Sequence, residues 1–208
     1  MVLAGAALLA VVFLGKAALP YLLLDPTALA PYASRRLWLL THIAAGVIAL
    51  LTGPVQLWLG AGARTPRVHR RLGRVYVASV AVGAAAALYL STHTELGWVF
   101  GAGLTGLGLA WIVTTTLGVS AIRRGLVDQH REWMIRSYVV TFAFVAFRAL
   151  FLSLQAADVG TLHEQLAVSS WFCWAVPLIV TEAVLQGRKI FGPRGLRAAD
   201  MRVSRHPA

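Results

Sequence analysis

The sequence predicts an all-α fold, a polytopic membrane helix bundle of about six transmembrane helices. Three observations lead there. The chain is 58% hydrophobic and 13% charged with a mean hydropathy of +0.71, whereas soluble domains carry about 25% charged residues. Several uninterrupted apolar runs exceed the roughly 18 residues that mark a membrane span. Because lipid offers no water to backbone N–H and C=O groups, runs of this length must close their hydrogen bonds as helices. Finally, the basic residues gather in alternate connections between those runs, the pattern of a chain that crosses a membrane repeatedly.

The spans follow in order. Residues 2–24 form the first; they lack a basic leader and Lys16 interrupts the apolar run, so they read as a membrane helix rather than a cleaved signal peptide. Lys16 snorkels toward an interface or pairs with a polar partner inside the bundle. A connection with Asp25, Pro26, Pro31, Arg35 and Arg36 leads to the second span, 38–59. A loop with Arg64, Arg67, Arg70 and Arg71 leads to the third, 73–92, which Arg74 opens. The connection 91–96 has no Lys or Arg and precedes the fourth, 97–120. Arg123, Arg124 and Arg131 precede the fifth, 134–155, with Arg136 just inside it. The connection 156–165 is again free of basic residues and leads to the sixth, 166–187. Residues 1–190 thus form one membrane-embedded bundle, and 191–208 a basic tail.

Fifteen of the nineteen Lys and Arg residues fall on the second and fourth connections, at the very start of the spans these lead into (Arg74, Arg136) and on the C-terminal segment. The positive-inside rule places both termini and those loops in the cytoplasm, with Arg35 and Arg36 as the exception. The net charge of +11 does not indicate nucleic-acid binding, since no soluble basic domain exists to carry it. The single cysteine, Cys173, lies within an apolar run. It forms no intramolecular disulfide, cannot build a cysteine-rich metal site, and reads as a buried packing residue.

Small residues suit close helix contact in lipid: Gly97 and Gly101 form a small-xxx-small step, and residues 83–87 are all tiny. His69-Arg70 and His130-Arg131 lie 61 residues apart, each followed by an arginine (Arg74, Arg136) and a tyrosine (Tyr76, Tyr138). Superposing them aligns spans two and three with four and five, as a parallel internal repeat would. Chance likeness between two arginine-rich loops gives the same pattern.

Two sets of residues can carry chemistry. On the cytoplasmic side, His69, Gly73 and Tyr76 share one helix face, as do His130, Trp133 and Met134. Gln56 and Glu182 reach the same layer, and Glu182 requires a partner among Arg74, Arg136 and the histidines. In the outer half, His42 lies one turn inside span two and Arg148 about two turns below the outer end of span five. The two are expected to be neighbours, with Arg148 buried among Phe144, Phe147 and Phe151. His93 and His163, in the outer loops, are candidates to complete that cluster. The bland alternatives are arginines and histidines that bind lipid phosphate or face water, and an Arg148 that snorkels outward. His206, in the tail, is uninformative.

Histidines at both faces make haem b a cofactor to consider, since a helical bundle holds it by one imidazole from each of two helices. The inner ligands would be His69 and His130, and the outer ones His42 with His93 or His163. The position of His69 and His130 at helix mouths, rather than well inside a span, tells against this.

The segments beginning His42-Ile43-Ala44-Ala45-Gly46, Gly53-Pro54-Val55-Gln56, His69-Arg70-Arg71-Leu72-Gly73-Arg74-Val75-Tyr76 and His130-Arg131-Glu132-Trp133-Met134-Ile135-Arg136 resemble the DUF2306 family of predicted membrane proteins. The resemblance covers about residues 38–155 and implies a bacterial inner-membrane protein, with no catalytic residue to carry over. A looser likeness to membrane di-haem cytochromes b rests on helix number and paired histidines. Two readings follow. In one, the protein is a redox protein that binds haem b or handles quinone through His42, His69 and His130, with Arg148 stabilising negative charge. In the other, it is a non-enzymatic transporter or lipid-binding protein with a His42/Arg148 site, or an accessory subunit without chemistry of its own.

Overall fold

The structure, a computed structural model, describes residue 15 and residues 18–62 and 66–192. Most of the expected first span, Lys16 and the basic tail with His206 lie outside the described residues. Every regular element among those described is helical. Two short helical turns, Leu19–Leu22 and Pro26–Leu29, and a 3-10 segment, Ala30–Arg35, lead into the bundle. Its helices are α1 (Arg36–Gly62), α2 (Pro66–Thr92), α3 (Trp98–Arg123), α4 (Val127–Thr141), α5 (Ala143–Ala156) and α6 (Leu162–Phe191).

Four described helices are long and apolar enough to cross a membrane alone, and α4 and α5, bent by 40° at their junction, are so only when taken together. The sequence reads the two as one span, and no proline marks the bend. Pro54 and Pro177, by contrast, lie within helices that continue through them. Apolar side chains such as Leu51, Val82, Leu109, Val113, Ile179 and Val180 are exposed on the bundle surface, where a bilayer would solvate them.

The chain folds as antiparallel hairpins. α1 packs on α2, α2 on α3, and α3 on both α4 and α6, while α5 packs chiefly on α6. Close approach depends on small residues where the helices cross. A Cβ on Gly53 of α1 would overlap the Tyr138 ring of α4, and one on Gly103 of α3 would overlap Ser170 of α6. At Gly83 of α2 a Cβ would come within 3.2 Å of Ala45 and 3.3 Å of Trp111. Gly101 abuts the carbonyl of Ser91, whereas Gly97 serves only as the cap of α3, with a positive φ of 94°. Pro54 has a specific consequence: lacking an N–H, it frees the Leu50 carbonyl one turn earlier. Tyr138 Oη donates to that carbonyl at 3.4 Å.

The two His-Arg segments have similar local surroundings. His69 lies against Gly60 near the end of α1, and His130 Nδ1 donates to the Gly118 carbonyl near the end of α3 at 2.8 Å. Each histidine therefore packs on the helix that precedes its loop. Tyr76 and Ser137, also 61 residues apart, touch through their hydroxyls at 2.8 Å. The mouths of α2 and α4 thus stand in nearly the same register.

Candidate functional site

Three layers of polar side chains cross the bundle. At the arginine-rich end, Arg136 is buried, 7% exposed, and its Nε donates to Glu182 Oε2 of α6 at 2.8 Å. Glu132 Oε2 lies 3.6 Å from the same guanidinium and 2.8 Å from Lys189 Nζ. The guanidinium also covers the Trp133 ring, 4.7 Å from its centroid. Gln186 Nε2 donates to the second Glu182 oxygen at 2.6 Å. The partner that Glu182 requires is therefore Arg136, one of those the sequence offers.

His69 and His130 lie in the first turns of α2 and α4, at this same end of the bundle. The Gln56 side-chain oxygen sits over Gly73, where a Cβ would be 3.4 Å away. Gln56 Nε2 and His69 Nδ1 are both buried without a hydrogen-bond partner among the described residues.

Further in, α2, α3 and α4 share a hydroxyl network that the sequence reading missed. Tyr76 Oη, on a side chain only 1% exposed, lies 2.8 Å from both Ser137 Oγ and Thr141 Oγ1. Thr115 Oγ1 is 2.7 Å from Ser137 Oγ. Trp111 Nε1 donates to Thr141 Oγ1 at 2.8 Å, and Thr141 in turn donates to the Ser137 carbonyl at 2.9 Å. The i, i+4 spacing of Ser137 and Thr141, facing a tyrosine two turns along the other hairpin, was the available signal.

At the opposite end the helices part around a cavity of about 540 Å³, within the usual range for small-molecule sites. Its walls are mostly apolar and aromatic, including Tyr21, Phe100, Trp111, Phe144, Phe147 and Phe151, and Thr141 of the hydroxyl network also lines it. His42 lines it as well. Its Nδ1 lies 2.9 Å from the Gly83 carbonyl, and since a carbonyl can only accept, Nδ1 carries the proton. In the neutral ring Nε2 is then the basic nitrogen, and it has no protein partner among the described residues. The ring meets Phe144 edge-on at a centroid distance of 5.4 Å.

Arg35, Tyr32, Glu95 and Arg148 also line this cavity. Arg35 Nη2 donates to Glu95 Oε1 at 2.7 Å, and Tyr32 lies within electrostatic reach of both Arg35 and Arg148. His42 and Arg148 therefore do line one cavity, as expected. Arg148 is nevertheless exposed rather than buried among phenylalanines. His93 and His163 do not join them: His93 is exposed, stacks on Tyr89 at 4.2 Å and bonds to the Tyr89 carbonyl, and His163 is exposed on the first turn of α6. Among the described residues no group of three or more His, Cys, Asp or Glu side chains is placed to hold a metal ion. Cys173 is 2% exposed and packs as the sequence suggests.

No curated protein and no solved structure matches the chain. A family model described as "Predicted membrane protein (DUF2306)" matches residues 39–185. The match extends past residue 155, where the motifs recognised in the sequence end, and takes in α6 with Glu182. It therefore spans the α1–α6 bundle with nearly all its polar layers, and the chain belongs to the DUF2306 family of membrane proteins.

Proposed function

We propose that the protein binds a quinone-class molecule in the cavity of the outer half, in a bacterial inner membrane with its arginine-rich loops facing the cytoplasm. The observation that carries this reading is His42, held by Gly83 so that one basic ring nitrogen is left for a ligand in an otherwise apolar, aromatic chamber. A flat ring stacks favourably on such walls. A hydroxyl of the reduced ring can donate to Nε2, and a protonated His42 can donate to a carbonyl of the oxidised ring. Thr141 Oγ1 is already engaged by Trp111, Tyr76 and the Ser137 carbonyl, which leaves His42 as the principal deep polar contact.

A second reading rests on the cavity's edge. Arg35 and Arg148 both line this cavity, two guanidinium groups suited to the anionic head of a lipid whose chain fills the chamber. The protein would then be a transporter or lipid-binding protein.

Haem b has less support. The outer histidines are dispersed. For the inner pair, His69 and His130 stand in the first turns of α2 and α4 rather than well inside a span.

The test is titration of the detergent-purified protein with a short-chain quinone, followed by quenching of tryptophan fluorescence. Saturable quenching that weakens about tenfold in His42→Ala, the loss of one hydrogen bond, and little in Arg148→Gln supports the quinone. The reverse order, with an anionic lipid as the tighter ligand, supports the second reading. Absence of saturable binding by either overturns both. An absorption spectrum of protein from haem-replete cells, with sharp reduced bands lost in His69→Ala, would restore haem.

A further inference from the structure

We propose that the bundle also contains a proton path from the cavity to the arginine-rich end, through the hydroxyls of Thr141, Tyr76 and Ser137 and then through water held between Gln56 and His69. This goes beyond the ligand reading and does not depend on which molecule fills the cavity.

Three observations support it. Thr141 lines the cavity, so the network reaches the cavity wall, where Thr141 exchanges a proton once its hydroxyl turns away from the Ser137 carbonyl it serves. Its links are hydroxyl to hydroxyl at 2.7–2.8 Å, and in each either oxygen can be the donor. With Thr141 donating to the Ser137 carbonyl the row runs Thr115 to Ser137 to Tyr76 to Thr141, and it reverses when the Thr141 hydroxyl turns from that carbonyl to Tyr76. A proton accepted at one end releases a different proton at the other, and rotation of the hydroxyls resets the row. No bond other than O–H is made or broken, and no co-reactant is needed.

The third observation lies between this row and the loop. Tyr76 and His69 share a face of α2 two turns apart, roughly 10 Å. On the same side are the buried Gln56 Nε2 and His69 Nδ1, neither with a protein partner among the described residues. Buried polar atoms are nearly always satisfied, by water where protein does not serve. Gly73, without a side chain, leaves room beside Gln56. Roughly two or three waters at hydrogen-bond spacing would span that interval. Here the hydroxyls are all paired with one another, and the two atoms unpaired among the described residues, Gln56 Nε2 and His69 Nδ1, lie toward the mouth of α2.

The experiment uses the full chain in liposomes loaded with a pH-sensitive dye, with a potassium gradient and valinomycin to set the potential. Vesicles carrying the protein should acidify several-fold faster than protein-free ones. Tyr76→Phe, which removes the central hydroxyl, should bring the rate close to the protein-free value. Gln56→Leu removes an unpaired amide at nearly constant size, so it should fold at least as well and still lose flux. Thr105→Val, which breaks a hydroxyl pair with Ser91 away from the path, should conduct as the parent does. Parent vesicles no leakier than protein-free ones overturn the proposal. So does wild-type flux in folded Tyr76→Phe or Gln56→Leu.

Discussion

Arg136 of α4 and Glu182 of α6 are joined through guanidinium Nε and carboxylate Oε2 at 2.8 Å, with the arginine buried and the acid half exposed. Removing Glu182 leaves the buried charge only the longer Glu132 contact at 3.6 Å; removing the arginine removes the charge that needs pairing. Glu182→Ala should therefore destabilise by about 1–3 kcal/mol, and Arg136→Met by less. Thermal unfolding in detergent, followed by tryptophan fluorescence, measures both. An Arg136→Met protein that is the weaker of the two would contradict this account.

Gly53 and Tyr138 give a steric prediction. A methyl at Gly53 would overlap the Tyr138 ring, and overpacking of this kind costs about 1–3 kcal/mol. Gly53→Ala should lower the melting temperature, and Tyr138→Leu in the same chain should recover part of the loss. Gly187→Ala, in open space on α6, should be neutral or stabilising by up to about 1 kcal/mol. Equal effects at the two glycines would remove the basis for the α1–α4 contact.

The start of α6 is fixed by a capping box. Glu164 Oε2 accepts from the Thr161 N–H at 2.7 Å, and Thr161 Oγ1 accepts in return from the Glu164 N–H at 3.4 Å. Thr161→Ala should cost about 1 kcal/mol, and Thr161→Ser should restore most of it. Hydrogen exchange confined to the first turn of α6 would locate the loss. Unchanged protection there would exclude the box as the cause.

Orientation can be read by labelling. In a Cys173→Ala background, His163→Cys should react with an impermeant maleimide on intact cells, and Arg124→Cys only after permeabilisation. Both positions are exposed and lie at opposite ends of the bundle. The opposite pattern would reverse the topology inferred from the arginines.

The sequence makes the passes and the ionic pairing legible for a common reason: charge and long apolar runs are costly to misplace in lipid. A lone acid at the end of α6 had to find a cation, and it found Arg136. Hydroxyls announce much less. Ser137, Thr141 and Thr115 are ordinary membrane-helix residues until their partners are known, so the network around Tyr76 was not read. Arg148 was placed by its sequence neighbours Phe144, Phe147 and Phe151, and adjacency in sequence does not say which way its side chain points. That is why Arg148 was expected among phenylalanines and instead stands exposed. Loop histidines fail for the same reason: the sequence positions of His93 and His163 say nothing about where their rings point.

The Arg35–Glu95 contact bears on how fast the cavity exchanges its contents. Glu95 is 85% exposed, and a pair so open to solvent contributes at most about 1 kcal/mol, less than twice the thermal energy. Ordinary fluctuation undoes such a latch, and salt loosens it further. For the ligand proposed above, a molecule entering past it would spend almost none of its binding energy on admission, and its residence would rest on the aromatic walls and His42.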